Sequence, residues 1–256
     1  MIKQILLLVL ITLTALANVI KEPVISLDKD KNIAIIAINH IDIGVSGFIT
    51  HKLAENNSVI LKNVNVIDFD KETHLATLQM SDFNKLRNNA LPNGKWKVEV
   101  GDMVSLAFGY NRAVLIAPTE RIYYRITKAT KNVQWLHPDI YTTILSFTGH
   151  PTPLKQDFIN MANATSVGIF FFYLNQKLLT VDALSMKVLN ISDAPLEQKD
   201  VKLPFYSRIE TIEANWFGAG SDELESYEPY YYKLLIEANP KNKELEDLYT
   251  KFKQKK

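Results

Sequence analysis

Residues 94–128, GKWKVEVGDMVSLAFGYNRAVLIAPTERIYYRITK, decide the fold of this chain, because the spacing of the apolar residues changes within them. Alternation of apolar and polar residues, or a continuous apolar run, predicts three strands there, at residues 96–100, 103–108 and 113–117. Pro118 ends the third strand, and Thr119 is well placed to cap a helix over residues 119–131. We therefore expect β-structure before Pro118 and mostly alternating α and β after it.

The residues before this switch continue the strand pattern. Glycines lie inside the strand predicted at residues 43–50, where glycine commonly marks a bulge or a barrel corner. Residues 59–69 and 73–80 alternate and are separated by a short charged turn, which predicts a hairpin. Short antiparallel strands with internal glycines indicate a small, barrel-like domain over residues 18–118, entered through an extended leader at residues 18–32.

The residues after the switch predict an α/β domain over residues 119–226. Helical patterns recur, at residues 119–131, 139–147 and 154–163. Strand patterns follow the last of them, at residues 166–173, 178–181, 187–191 and 204–209. The most apolar of these strands, SVGIFFFY at residues 166–173, is expected in the centre of a sheet. Residues 113–117 are a candidate for the first strand of this domain, so we expect the two parts to share an interface.

Residues 227–256 predict a C-terminal helical hairpin. Its first helix is expected at residues 230–238, after Pro229, and Asn239 and Pro240 are expected to begin the second. Acidic residues lie early and lysines late in the second helix, as the helix dipole favours. The predicted fold class is therefore α+β: a small antiparallel β-barrel-like domain, followed by an α/β domain and a C-terminal helical hairpin.

The first residues predict an exported protein. A basic residue, Lys3, precedes an apolar run at residues 5–13, and residues 15–17, ALA, match an A-x-A cleavage site. We expect a signal peptide over residues 1–17 that is removed on export. The alternative is an uncleaved membrane anchor, but the apolar run is shorter than the roughly 20 residues that a spanning helix needs. The mature chain is expected in the periplasm or at the outer cell surface, with no transmembrane span.

Composition excludes several function classes. The chain carries 29 Lys and Arg against 28 Asp and Glu, a net charge of +1, whereas nucleic-acid binders normally show a clear basic excess. It has no cysteine, which excludes disulfides, thiolate nucleophiles and cysteine-ligated metal sites. We therefore expect no nucleic-acid partner.

No constellation of residues in the sequence indicates catalysis. His40 with Asp42, and His137 with Asp139, come nearest to an acid–base pair or a metal site, but neither spacing is a metal signature. We interpret both pairs as turn or capping residues. Residues 218–221, GAGS, lack the lysine of a phosphate-binding loop and precede acidic residues, so we interpret them as a flexible loop. We expect no enzyme activity, no cofactor and no metal.

A tyrosine-rich stretch opens the predicted hairpin. Tyr227, Tyr230 and Tyr231 lie beside acidic residues. Consecutive positions of a helix point in different directions, so some of these rings are expected at the surface. Tyrosine is common in protein interfaces, and we take these three as candidate partner-binding residues. The alternative is that they pack the helix onto the rest of the molecule.

Five segments carry a family resemblance: VSGFITHKL (45–53), VEVGDMV (98–104), AVLIAPTERIYYR (113–125), SVGI (166–169) and PFYSRIETI (204–212). In their order and spacing they resemble the N-terminal domain of the PgbA-type plasminogen-binding surface proteins of epsilon-class proteobacteria. Residues 227–235 are also similar to the segment that closes that domain. These motifs are structural and not catalytic.

The resemblance implies a surface protein that captures host plasminogen. Kringle domains of plasminogen bind a C-terminal lysine: acidic groups hold the ammonium, a basic group holds the carboxylate, and aromatic rings hold the stem. Lys256 ends this sequence, and Lys255 and Lys253 add positive charge, so the resemblance points to these lysines as partner-binding residues. A lysine-rich helix end also serves solubility and the helix dipole, which leaves a purely structural role open.

Three functions therefore stay open. The first is plasminogen binding at the cell surface through the C-terminal lysines. The second is a periplasmic envelope scaffold or assembly protein that contacts another envelope protein, which requires an exposed apolar or aromatic patch elsewhere. The third and weakest is a small-molecule binder or enzyme that uses the α/β part, which requires a deep pocket with convergent polar groups.

Overall fold

The computed structural model of the chain describes three ranges: residues 19–83, 96–198 and 200–254. The predicted signal peptide, residues 1–17, lies outside this part of the chain, and so do Lys255 and Lys256. The described residues form a closed barrel, a second sheet and five helices. The predicted α+β fold class is therefore confirmed.

The first six strands form a closed antiparallel barrel in which β1 pairs with both β2 and β6. In chain order the strands are β1 (Ile20–Asp28), β2 (Ile33–Ala37), β3 (Ser46–Ala54), β4 (Asn57–Asp70), β5 (Leu75–Asp82) and β6 (Met103–Leu106). Around the barrel the order is β1-β2-β5-β4-β3-β6. Each of these strands is thus paired on both sides, and the barrel expected from the alternating pattern is confirmed.

Two expectations for this region are wrong. Residues 20–28 form a strand that closes the barrel against β6, and not an extended leader. Residues 96–100 alternate but form no strand. There the Glu99 N–H donates to the Asp102 carboxylate, and the Asp102 N–H donates to the Glu99 carbonyl. A local turn therefore uses backbone groups that a strand would offer to a neighbour.

Gly47 allows β3 to lie close against β6. It pairs with Leu106, and a Cβ atom at this position would stand 2.0 Å from the carbonyl oxygen of Ser105. A larger residue would push the two strands apart. The bulge that the glycines led us to expect in this strand lies two residues later, where the β3–β4 register shifts between Ile49 and Thr50.

The second sheet is open and mixed, with the strand order β11-β10-β9-β7-β8. Its strands are β7 (Arg112–Ile116), β8 (Gln134–Leu136), β9 (Ile169–Leu174), β10 (Lys177–Asp182) and β11 (Val188–Asp193). β7 is parallel to β8 and β9, whereas β10 is antiparallel to β9 and β11. The apolar run at residues 113–117 therefore belongs to the second sheet.

The helices of the described structure are α1 (Glu120–Ala129), α2 (Pro138–Thr148), α3 (Lys155–Thr165), α4 (Tyr227–Ala238) and α5 (Lys243–Gln254). Thr119 caps α1 as expected, because its hydroxyl accepts the Ile122 N–H at 3.2 Å. The two expected helices that follow α1 are present as α2 and α3.

Residues 204–209, expected as a strand, form none in the structure. The Tyr206 N–H donates to the carbonyl of Ala117 at 2.7 Å, at the end of β7. The Arg208 N–H donates to the carboxylate of Asp139 at 2.8 Å, at the start of α2. The segment is held by the ends of other elements, so its alternating pattern reflects burial between them and not pairing in a sheet.

The last two helices form a hairpin, but its turn differs from the expectation. Asn239 is the C-cap of α4. Its buried side-chain amide donates to the carbonyl of Met186, between β10 and β11, and accepts the N–H of Val188 at the start of β11. The side chain of Asn242 instead accepts the Leu245 N–H at 3.1 Å at the start of α5. Asn239 is therefore not free to cap the second helix.

Strand β9 is buried on both faces and separates two hydrophobic cores. Phe171 and Tyr173 belong to the core shared with the barrel and α1, whereas Phe170 and Phe172 belong to the core under the other helices. Successive side chains of a strand point to opposite faces, which explains the continuous apolar run. The molecule thus has three layers: barrel with α1, sheet, and the remaining helices.

Asp182 joins the barrel to the second sheet. Its buried carboxylate accepts the N–H and hydroxyl of Ser46 in β3, at 2.9 and 2.7 Å, and the hydroxyl of Tyr110 at 2.6 Å. The N–H groups of Leu184 and Ser185 donate to its other oxygen. Five hydrogen bonds to one carboxylate compensate for its removal from water.

Candidate partner-binding surfaces

Two of the three tyrosines proposed from the sequence are buried. The Tyr227 hydroxyl donates to the carbonyls of Ile116 in β7 and Tyr173 in β9, at 2.9 and 3.1 Å. The Tyr231 hydroxyl donates to the carbonyl of Pro204 at 2.8 Å. These two side chains pack α4 onto the sheet, so a partner that binds the surface does not touch them.

Tyr230 is half-buried, and its hydroxyl donates to the carbonyl of Pro153 at 2.5 Å. Burial raises the pKa of Tyr230 to about 12, and it raises the pKa values of Tyr227 and Tyr231 well above the usual range of a phenol. All three phenols therefore stay protonated at physiological pH and act as hydrogen-bond donors.

The described lysines at the end of α5 are exposed. The Lys253 ammonium lies 4.1 Å from the centroid of the Tyr249 ring, a cation–π contact one helical turn away. Lys251 is also exposed. Tyr249 in turn stacks on Tyr232 of α4, with ring centroids 5.3 Å apart. The base of this lysine-rich stretch is therefore fixed to the body of the molecule.

A second candidate surface consists of exposed aromatic side chains that the sequence analysis did not single out. Phe147 at the end of α2 is 93% exposed, and Trp216 and Phe217 in the loop before α4 are 99% and 87% exposed. Large aromatic residues are usually buried, and exposed ones that cluster mark interaction sites. We call Phe147, Trp216 and Phe217 the aromatic surface.

Hydrogen bonds hold the loop of the aromatic surface against the end of α2. The Asn215 side-chain amide donates to the carbonyl of Thr148 at 2.8 Å, and the Asn215 N–H donates to the carbonyl of Gly149 at 3.0 Å. The Glu213 N–H donates to the hydroxyl of Ser146. These anchors flank Phe147 on α2 and immediately precede Trp216, so they bring the chain segments that carry the three rings close together.

The sequence held a signal for this surface. The pair Trp216–Phe217 stands between Asn215 and Gly218, within a stretch that carries neither a helical nor a strand pattern. An aromatic pair in such a stretch has no face of a helix or strand through which to be buried. Our interpretation of residues 218–221 as a flexible loop did not include this aromatic pair, which directly precedes them.

The two histidine–aspartate pairs differ: Nε2 of His40 lies 3.5 Å from Oδ1 of Asp42 and both side chains are exposed, whereas His137 and Asp139 act in local structure. His137 is the N-cap of α2 and accepts the Asp139 N–H, which agrees with the capping interpretation. Burial lowers the pKa of His137, although Asp139 opposes this effect. Within the described ranges, no group of three or more His, Cys, Asp or Glu side chains is arranged to hold a metal ion.

No helix in the described part of the chain combines the length and the apolar character needed to cross a membrane.

Comparison with known proteins adds a family and two relatives. The family model described as plasminogen-binding protein PgbA N-terminal matches residues 19–235. Plasminogen-binding protein PgbA of Helicobacter pylori strain J99 is 25% identical over 224 residues, which cover 86% of this chain and 48% of the relative. The protein of the same name from strain 26695 is 25% identical over 213 residues, covering 81% and 45%. The chain thus spans about half the length of these relatives, and no solved structure matches it.

Proposed function

The chain belongs to the family described as plasminogen-binding protein PgbA N-terminal, and from this membership we propose that it is an exported protein that binds plasminogen at the cell surface. The observation that carries the proposal is the family match over residues 19–235. Two relatives that share this part bear the name plasminogen-binding protein. The predicted signal peptide, residues 1–17, supports export.

The proposed contact is recognition of lysine side chains by the kringle domains of plasminogen. Lys251 and Lys253 are exposed on α5, and Lys255 and Lys256 continue the same lysine-rich stretch. An ammonium group on a long stem suits a site built from carboxylates and aromatic rings. The family match ends at residue 235, before α5 begins, so plasminogen binding and this lysine route are separate claims.

Binding of the mature chain, residues 18–256, to immobilised plasminogen tests both claims. A soluble lysine analogue, 6-aminohexanoic acid, is expected to abolish binding. The change K255Q/K256Q is expected to raise Kd by at least about tenfold, and K251Q/K253Q by about threefold, because these groups contribute exposed charge. Surface plasmon resonance at low and physiological salt measures each Kd.

The control variant is K128Q/K131Q at the end of α1. Lys128 lies 5.8 Å from the ring centroid of Tyr124, four residues before it, which reproduces the arrangement of Lys253 and Tyr249. This control is expected to bind as the unchanged chain does. No binding by the unchanged chain overturns the plasminogen proposal. Binding that resists both the analogue and the α5 variants overturns the lysine route alone.

The second candidate function is that of an envelope scaffold or assembly protein. This function needs an exposed apolar or aromatic patch, and the aromatic surface is such a patch. It would bind another envelope protein in the periplasm and would not involve the lysines of α5. If the chain does not bind plasminogen but its aromatic surface binds a protein segment, the result favours this candidate.

A further inference from the structure

The aromatic surface continues along α2. Ile140 is also exposed and lies seven positions before Phe147. Half-buried Ile144 lies between them. Positions separated by four and three residues share one face of a helix. Ile140, Ile144 and Phe147 therefore form an apolar stripe on the exposed side of α2, and the stripe leads to the loop that holds Trp216 and Phe217.

The surroundings of the aromatic surface are acidic. Residues 209–226 contain five carboxylates and no Lys, Arg or His, although acidic and basic residues are nearly equal in number over the whole chain. The carboxylates are Glu210, Glu213, Asp222, Glu223 and Glu225. All five residues are exposed, and none forms a salt bridge within the described ranges. α2 likewise carries no basic residue in its last turn.

Two of these carboxylates line one cavity. Glu210 and Glu223 both border a cavity of about 240 Å³ that also contacts Thr142 of α2. Lys202 lines the same cavity, but its ammonium donates to the carbonyls of Ser207 and Ile209 and so is held by the backbone. The cavity therefore holds two carboxylates that form no salt bridge within the described ranges, and it meets α2 at buried Thr142.

We propose that the aromatic surface and its acidic border form a docking site for a protein segment that carries lysine or arginine next to apolar side chains. Exposed rings contact the apolar side chains and the stems of the basic ones, and the rings attract cations through their faces. Unpaired carboxylates then bind the charged ends. The hydrogen bonds of Asn215 to the end of α2 hold the loop in place before the partner arrives, which reduces the ordering cost of binding.

Charge favours this partner over two others. A second copy of the chain that docks through the same surface would set acidic borders against each other, since a two-fold contact joins a patch to itself. Anionic lipid headgroups would be repelled by the same carboxylates. The proposal does not rest on plasminogen binding, because it uses none of the lysines of α5.

The test uses the mature chain and two synthetic amphipathic peptides of equal length. One peptide has leucines on one face and lysines on the other, and its counterpart has glutamates in place of the lysines. Calorimetry measures Kd, and tryptophan emission, to which exposed Trp216 contributes beside Trp96 and Trp135, is recorded in parallel. We expect the lysine peptide to bind, to shift the emission to shorter wavelength, and to bind more weakly as salt rises. We expect no binding of the glutamate peptide.

Variants assign the binding to the surface. The change W216A/F217A is expected to raise Kd at least about tenfold, as for central aromatic contacts. The change E210Q/E213Q is expected to raise Kd about threefold and to flatten the salt dependence. The matched controls are W96A, which removes a half-exposed tryptophan, and E55Q/E72Q, which removes two exposed carboxylates of the barrel turns. Both controls are expected to leave Kd unchanged.

Four outcomes overturn the proposal. The first is equal binding of the two peptides, and the second is an equal effect of the test and control variants on Kd. The third is an emission shift when phosphatidylcholine vesicles replace the lysine peptide. The fourth is self-association of the chain, measured by sedimentation, that the change W216A/F217A removes. Circular dichroism of each variant confirms that the fold is intact, so a loss of binding reports on the surface. Plasminogen binding measured on W216A/F217A separates this proposal from the preceding one, because it is expected to be unchanged.

Discussion

The barrel and the second sheet bury different kinds of side chain. The barrel interior is filled mainly by aliphatic residues, among them Val24, Ile36, Ile49, Val64, Leu78 and Leu106. The gap between the second sheet and its helices is filled largely by rings, among them Tyr141, Phe158, Phe170, Phe172, Phe205 and Tyr231.

The difference follows from the shape of each core. A small barrel has an interior only wide enough for side chains to fill, and closure pairs its backbone groups all round. The space between a sheet and helices is broader, and rings fill it in stacked and edge-to-face pairs, such as Tyr141 with Phe205 and Phe158 with Phe170. The barrel thus depends on closure, and the second sheet depends on its rings.

Removing one ring from the second core is the most severe test of this comparison. We expect Phe172→Ala to lower the free energy of unfolding by about 3–5 kcal/mol, because it leaves a cavity among Phe158, Phe170 and Tyr231. Denaturant unfolding followed by circular dichroism measures the change.

Two comparison variants calibrate this loss. Phe217→Ala removes an exposed ring and is expected to change stability by less than about 0.5 kcal/mol. In the barrel, Ile36→Val removes one buried methylene and is expected to cost about 1 kcal/mol. A loss for Phe172→Ala no larger than that for Ile36→Val would contradict the claim that the second core rests on its rings.

The connection between the two regions is the next test. We expect Asp182→Ala to cost at least about 2 kcal/mol, because it leaves the buried donors of Ser46 and Tyr110 and the half-buried N–H of Leu184 without their acceptor. Native-state hydrogen exchange is expected to show faster exchange of the Ser46 and Leu184 amides. The control is Asp193→Ala, whose exposed salt bridge to Lys177 contributes less than about 1 kcal/mol. Equal losses in the two variants would show that Asp182 does not join the regions.

The smallest expected effect is on the pH dependence of stability, and it comes from His137, which directly follows β8 in the open sheet. Burial lowers the pKa of His137, so the unfolded chain binds a proton there at higher pH than the folded chain does. Stability attributable to His137 is therefore complete above its ordinary pKa of 6.5 and is lost as pH falls through the lower, folded value. His137→Asn retains a residue that caps helices and removes the titration.

Unfolding free energy measured from pH 7.5 to pH 5 for both chains checks this effect. We expect the unchanged chain to lose more stability than H137N over this range. Parallel curves, or a larger loss in the variant, would show that burial of His137 does not govern this part of the pH dependence.

Sequence patterns located most of the second sheet and its helices. The continuous apolar run at residues 166–173 indicated a strand buried on both faces, and β9 is such a strand. Thr119 after Pro118 indicated the start of α1. These features depend on residues that are close in sequence, and short-range patterns therefore suffice to predict them.

Pairing could not be predicted in the same way. Residues 18–32 were expected as an extended leader, yet β1 within them pairs with β6 through residues distant in sequence. Pro23 lies beside a bulge of β1, where proline is tolerated. Residues 96–100 alternate as a strand does but have no partner strand. Alternation shows which side chains face a core and does not show which strand lies alongside.

The partner-binding residues were harder still. Tyr227 and Tyr231 were proposed for the surface and are buried. The Tyr227 hydroxyl donates to a carbonyl of β7 and the Tyr231 hydroxyl to the carbonyl of Pro204, and the sequence places neither beside α4. Trp216 was not singled out from the sequence, although it lies in a stretch without a helical or strand pattern. Its exposure follows from the hydrogen bond that anchors Asn215 to Thr148 of α2, two residues that are 67 positions apart in the sequence.

Closure of the barrel also governs the order of events while the chain is made. Pro23 in β1 faces Met103 in β6, and these residues are separated by 80 positions (103 − 23). At about 5–20 residues per second, β6 emerges roughly 4–16 seconds after β1. During that interval the neighbours of the missing strand, β1 and β3, present unpaired backbone edges that other strands can join. The folded barrel has no such edges, because each of its strands is paired on both sides.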